Sequence, residues 1–145
     1  KLDGTLGANI IIHPKTMKAH KEALDQAIAD LKYGGIGINT WCALAFLAAG
    51  GAWGAYPGHT MDDIQSGKGV VHNAFLFDKT QKNVATGPFR NFPRSIFFGD
   101  LHMAPRPPWF VTNKTAHKTG KKLTYFIGTG SLLKLPGIFT SALKG

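Results

Sequence analysis

Between Gly7 and Asn39 an apolar run, an amphipathic stretch and a second apolar run follow one another across short joints. That order constrains the fold more than any other feature of the chain. Gly7 to His13 (GANIIIH) is an unbroken apolar run bounded by Gly and Pro, and reads as a fully buried strand. Pro14 stops it and suits the start of the next helix. From Lys15 to Tyr33 the apolar positions Leu24, Ala27, Ile28 and Leu31 share one helical stripe. Lys18, Lys21, Glu22, Asp25 and Lys32 fall mostly off it. Gly34 and Gly35 are expected to form a left-handed C-cap, and Ile36 to Asn39 a second short, buried strand. Strand, helix and strand with tight joints make a βαβ unit, so the strands should be parallel and the crossover right-handed. Such a unit wants a larger parallel sheet covered on both faces. Few other strands are evident, so residues outside this chain are expected to complete it.

The rest of the chain is loop-rich. Cys42 to Ala49 (CALAFLAA) is apolar throughout and too short to span a bilayer; it reads as a buried helical turn or a pocket wall. His59 to Asp63 has the composition of a helix start, with Thr60 as N-cap and two acids in the first turn. Val70 to Phe77 is compatible with a strand or with two turns of helix, the helix preferred. Lys82 to Thr86 and Ser95 to Gly99 suggest short strands, and Pro105 to Pro108 an extended stretch. Two amphipathic pieces close the chain, about Thr115 to Ile127 and Leu132 to Leu143. No internal repeat is present.

Eighteen glycines and eight prolines among 145 residues fit that loop content. The single cysteine rules out an internal disulfide framework and suits a reducing compartment; a cytoplasmic protein is expected. No signal peptide opens the chain, which starts at Lys1 without an initiator Met, so a piece of a longer polypeptide is expected. The formal charge of +9 is lopsided. Every acid lies at or before Asp100, and seven cations from Arg106 to Lys144 follow unbalanced. Such a tail suits an anionic partner or an acidic surface of its own polypeptide. Aromatic-basic interleaving and helix-turn-helix punctuation are both missing, so a solvated or docked tail is the leading reading.

Chemistry-bearing motifs are sparse. The six histidines form no HxxxH or HExxH set and only one cysteine accompanies them, so no metal is expected. His13 and His72 read as hydrogen-bonded structural residues. Gly35-Ile36-Gly37 follows a helix rather than opening one, unlike a dinucleotide fingerprint. Gly67-Lys68-Gly69 lacks the order of a phosphate loop. Ser66 and Ser131 lie in no nucleophile elbow, and Cys42 has no basic neighbour in sequence, which suits a buried, inert thiol. The aromatic residues lead further. Asn39 ends a strand where open parallel sheets bind ligands, Trp41 follows it, and Trp53-Gly54-Ala55-Tyr56-Pro57-Gly58 returns after an apolar excursion. Pocket wall and packing are equally open readings for these tryptophans, and Asn39 either faces a ligand or ties its loop.

Taken in order, these segments resemble the end of an aldehyde dehydrogenase catalytic domain. Gly35-Ile36-Gly37-Ile38-Asn39 is similar to that family's strand and its Asn. Ala52 to His59 resembles its P-F-G-G-like turn, Ser66-Gly67-Lys68-Gly69 its Ser-Gly-x-Gly step, and Lys82-Asn83-Val84 its late Lys-x-Val strand. The likeness covers about residues 8 to 89. Trp53 stands where Phe is usual, Ala55 replaces a Gly, and His59 to Gln65 look inserted. The resemblance implies an α/β fold in which residues 1–89 form the C-terminal portion of the catalytic domain. Residues 90–145 are then a basic, Pro/Phe-rich, partly helical extension. It also implies oxidation of an aldehyde to the acid with NAD or NADP, the cofactor bound mainly outside this chain. The nucleophilic Cys, the general-base Glu and the oxyanion Asn would lie upstream of Lys1, leaving this chain inactive alone. Asn39, Thr40, Trp41 and Trp53 are the expected substrate-binding residues, with Asn39 anchoring the loop.

The expected partners are therefore an aldehyde, the remainder of the polypeptide and further copies of the subunit, docked across an exposed sheet edge. Neither nucleic acid nor a membrane is expected. The competing reading is a small basic module that binds nucleic acid or an anionic membrane surface.

Overall fold

The computed structural model describes residues 3–47, 50–102, 106–107 and 110–145. The chain is mixed α/β and divides into two compact units, Lys1–Phe89 and Arg90–Gly145.

In the first unit β1 (Gly7–Ile10) leads through α1 (Pro14–Ala19) and α2 (Lys21–Asp30) to β2 (Gly35–Ile38). The strands pair in parallel, Gly7 opposite Gly35 and Ile10 opposite Ile38. A third strand, β5 (Asn83–Thr86), joins β2 on its other side, also parallel, with Val84 opposite Ile36. The sheet order β1-β2-β5 puts β2 in the centre, and all four of its residues are buried. Ile36 is fully buried and Ile38 nearly so; with Ala45 and Ala55 they are the buried apolar side chains among the described residues. β1, expected to be fully buried, is an edge strand alternating between exposed and half-buried positions. Leu24 and Ile28 of α2, with Leu31 just past its end, are half-buried, so one face of that helix turns inward.

The helix expected over Lys15–Tyr33 is two helices. His20 leaves helical geometry between them (φ −125°, ψ 39°). Its first half starts as Pro14 predicts: Pro occupies the first turn and His13 is the N-cap, its Nδ1 accepting the Lys15 N–H at 3.2 Å. Its second half ends differently. The C-cap is Leu31 rather than a glycine, and no basic residue lies in the last turn. A distant cation does that work. The Lys82 ammonium donates to the carbonyls of Ile28, Ala29 and Leu31 at 2.8, 2.7 and 2.9 Å. All three of its protons are thereby used on orphan carbonyls at the negative end of the helix.

Between β2 and β5 lie α3 (Leu44–Leu47) and a two-stranded antiparallel ribbon, β3 (Trp53–Gly54) with β4 (Val70–Val71). In the apolar Cys42–Ala49 segment Leu44, Phe46 and Leu47 are exposed, Cys42 and Ala43 half-buried, and only Ala45 is buried among the described residues; Ala48 and Ala49 lie outside the described residues. The helix preferred for Val70–Phe77 does not form. His72 and Leu76 adopt φ of 60° and 54°, and the Asn73 amide clamps the turn instead. Its Oδ1 accepts the Phe77 N–H at 3.0 Å and its Nδ2 donates to the Phe77 carbonyl at 2.9 Å. Asn thus offers the backbone a local alternative to helix. Likewise Thr60 Oγ1 accepts the Asp63 N–H at 3.1 Å, as an N-cap would, but no helix follows; Gln65 turns left-handed two residues later.

In the second unit Ser95–Gly99 is not a strand but part of a 3₁₀ helix, Arg94–Phe98, closed by Gly99 at φ 73°. Asp100 N–H then returns to the Ser95 carbonyl at 3.1 Å. Of the Pro105–Pro108 stretch, Arg106 and Pro107 are described and belong to no helix or strand. α4 (Ala116–Thr129) and α5 (Leu135–Leu143), joined by a 3₁₀ turn at Leu132–Lys134, form a helical hairpin. Among the described residues no helix is long and apolar enough to cross a membrane.

Candidate functional site

The loop that follows β2 turns back over one face of the sheet, and glycine makes this possible. Gly7, Gly35 and Gly37 share that face by register and alternation. A Cβ at Gly35 would come 2.9 Å from Trp53 Cζ3, and one at Gly37 2.7 Å from the Cys42 backbone nitrogen. Asn9, opposite Gly37, accepts the Cys42 N–H on its Oδ1 at 2.9 Å. Cys42 is half-buried over Gly7, its sulfur 2.9 Å from where a Cβ there would lie. The glycines of β2 therefore serve close packing of the chain on itself.

At the carboxyl end of β2, Asn39 is left-handed at φ 55°, a conformation Asn tolerates better than most residues. Its side-chain amide pairs with one residue, accepting the Ile12 N–H at 2.9 Å and donating to the Ile12 carbonyl at 3.0 Å. This prolongs the β1–β2 pairing beyond its last ladder residues, so Asn39 anchors the loop and both ends of its amide are engaged. Thr40 lies against Gly87, where a Cβ would meet Thr40 Cβ at 2.8 Å. Trp41 is 50% exposed. Trp53 sits elsewhere. It packs over Gly35 at the amino end of β2 and meets Phe46 edge-on, centroids 6.1 Å apart; Phe46 in turn meets His72 at 4.7 Å. Asn39, Thr40 and Trp41 are thus grouped at one end of the strand. Trp53 is at the other, about 10 Å away by strand rise.

Two adjoining cavities open beside the β3–β4 ribbon, of about 500 and 720 Å³, within the size range of small-molecule sites. They share a wall running from Phe77 to Gln81, and none of the four residues singled out from sequence lines either one. A second anchor, which sequence reasoning missed, closes the loop beside them. Thr5 donates its N–H to Ser66 Oγ at 2.9 Å, its Oγ1 meets His59 Nε2 at 2.8 Å, and its carbonyl accepts the Tyr56 N–H at 3.0 Å. These residues staple the 56–66 loop to the start of β1. Lys82 was missed likewise: beyond its place in the Lys-x-Val resemblance, no local pattern marks a lysine that caps a helix more than fifty residues earlier.

Among the described residues no group of three or more His, Cys, Asp or Glu side chains could hold a metal ion. Nor do Gly35 and Gly37 leave room for a dinucleotide's pyrophosphate. The space above Gly35 and Gly37, where a pyrophosphate would need close approach, is taken by Trp53 and the Thr40–Cys42 backbone. One carboxyl group, in the second unit, is displaced from its usual range. Asp100 is held below 3.8, chiefly because it accepts the His102 N–H at 2.9 Å; burial opposes this, and the His102 ring 2.5 Å away adds to it. Compared with known proteins, the chain matches no family model, no curated protein and no solved structure.

Proposed function

We propose that this chain is the C-terminal part of the catalytic domain of a cytoplasmic, NAD(P)-dependent aldehyde dehydrogenase, with a basic extension. It contributes a wall of the substrate tunnel and part of the subunit-assembly surface. One observation carries the reading. Gly35–Ile38 is a buried central strand, parallel to both neighbours, with an Asn at its carboxyl end. Its loop folds back over the glycine face and re-enters the sheet at Lys82-Asn83-Val84. Gly35–Asn39 and Lys82–Val84 are the first and last of the segments on which the family resemblance rests. The sheet itself adds support: β1 and β5 are its edges among the described residues, and parallel sheets of three strands are ordinarily extended and covered by further chain.

In this reading the thiolate attack on the aldehyde, the hydride transfer to NAD(P) and the thioester hydrolysis belong to residues outside these 145. The chain's own contribution is shape. Thr40 and Trp41, held by the Asn39–Ile12 pairing, form the tunnel wall, and an indole there suits an apolar or aromatic aldehyde. Trp53 belongs to the wall only if the tunnel also runs along the amino end of β2.

The test is the coding sequence around this chain and the activity of its full-length product. A Gly-Gln-x-Cys segment upstream and aldehyde-dependent reduction of NAD or NADP support the reading; the lack of either ends it. In that enzyme Trp41→Ala should cut the preference for long apolar over short polar aldehydes about tenfold in kcat/KM. For Trp53→Ala an unchanged preference would assign the residue to packing alone.

A further inference from the structure

The α4–α5 hairpin joins its helices partly through polar groups, while its turn exposes apolar ones. Thr115 Oγ1 donates to the Ser141 carbonyl at 2.7 Å, Thr119 Oγ1 meets Ser141 Oγ at 3.2 Å, and Lys122 Nζ donates to the Gly137 carbonyl at 2.9 Å. Ser141 is buried, whereas no apolar side chain of this unit is buried among its described residues. Phe126, Leu135, Ile138, Ala142 and Leu143 are half-buried, whereas the leucines in the turn between the helices, with Ile127 beside it, are exposed. Ile127 is 73% exposed, Leu132 69% and Leu133 91%. Lys134 lies in the turn beside Leu133, and Lys118 and Lys121 lie on α4; all three are exposed, and the Lys134 ammonium is 5.8 Å from the centre of the Tyr125 ring. No acid occurs after Asp100 to offset these charges.

We infer that the tip of this hairpin is a docking site for an anionic lipid surface. Adjacent leucines on a projecting turn gain little from water but enter the boundary between headgroups and acyl chains readily. Lys134 in the turn and the lysines of α4 meet the negative headgroups with their long stems. The helices are too short to span a bilayer, so the hairpin seats its tip and lies at the interface. An acidic protein face without an apolar centre would match the lysines and leave the exposed Leu132–Leu133 pair in water. A nucleic acid would match the lysines and leave the same pair in water.

The experiment is co-sedimentation of the full chain with vesicles of phosphatidylcholine alone and with vesicles rich in phosphatidylserine. Binding should require phosphatidylserine and weaken as salt rises toward about 1 M. Lys118→Gln, Lys121→Gln and Lys134→Gln should each lower partitioning roughly fivefold, and together roughly a hundredfold. The double variant Leu132→Ser, Leu133→Ser should lower it by at least about tenfold. These side chains are exposed, so helix content by circular dichroism should not change in any variant. Equal binding to both vesicle types, or binding indifferent to the leucine substitutions, overturns the inference. So does tighter binding to duplex DNA or RNA than to the anionic vesicles. Leucine-dependent self-association without vesicle binding would assign the tip to a second copy of this chain and overturn it equally.

Discussion

Replacing Lys82 by methionine keeps the length and most of the apolar stem of the side chain and removes its three donors. The ammonium holds the carbonyls of Ile28, Ala29 and Leu31 at 2.7–2.9 Å and lies 5.4 Å from the centre of the Tyr56 ring. A hydrogen bond from a charged donor is worth about 1.5–3 kcal/mol net, and a cation at a helix C-terminus about 0.3–1 kcal/mol. The three bonds do not add fully. Lys82 is only half-buried, so the carbonyls it leaves recover water, and its own desolvation is relieved. The whole substitution should therefore cost about 2–3 kcal/mol. For a unit of this size that lowers Tm by roughly 10–20 °C and the urea midpoint by about 2 M. Lys79→Met, three residues earlier and exposed, is the control and should change stability by less than about 0.5 kcal/mol. In Lys82→Met the Leu31 amide, bonded to the Ala27 carbonyl at 3.0 Å, should exchange with solvent faster while β2 amides keep their order of protection. A Lys82→Met midpoint within error of the Lys79→Met control would refute the capping role and the reasoning from geometry to energy.

The glycine face predicts an ordering. Gly37→Ala should destabilise more than Gly35→Ala, because the obstructing atoms at Gly37 include the Cys42 backbone while those at Gly35 belong to the Trp53 ring edge. We expect about 1–3 kcal/mol at Gly35 and more at Gly37 by urea melts; the reverse order would show that the loop yields before Trp53 does. In the second unit, Asp100 should titrate below 3.8, because its carboxylate is hydrogen-bonded by His102 in the folded chain. A depressed carboxyl pKa contributes stability that is full above the unfolded value and fades as pH falls through the folded one. Asp100→Asn should therefore flatten the loss of stability below about pH 4. A carboxyl-carbon titration by NMR with a midpoint at or above 3.8 would contradict the assignment.

Local signals carried the first part of the chain well. The apolar run, Pro14, the Leu24–Ile28–Leu31 stripe and the Gly35–Ile38 strand are each set by residues within a few positions of one another, and βαβ pairing follows from them. The α4 and α5 segments were legible for the same reason. Other short-range devices were present but overlooked. The Asn73 amide decides against helix over 70–77, and Gly99 closes a 3₁₀ turn where a strand was expected. At the site, Asn39 as loop anchor was readable from its place at a strand's end, whereas Asn9 and Thr5 were not, since their partners are decades of residues away.

By itself the sequence determined that two short strands would lie parallel about a helical crossover, because hydrophobic period and turn chemistry act locally. Only the tertiary structure decided that β5 pairs with β2 as the third strand and that Lys82 ends α2. It alone put Trp53 at the opposite end of β2 from Asn39, Thr40 and Trp41. Each of those outcomes depends on a hydrogen bond or a close approach between residues distant in the chain. Such contacts leave no periodicity to read, and they form where glycine clears the space and an ammonium or amide finds an unsatisfied carbonyl.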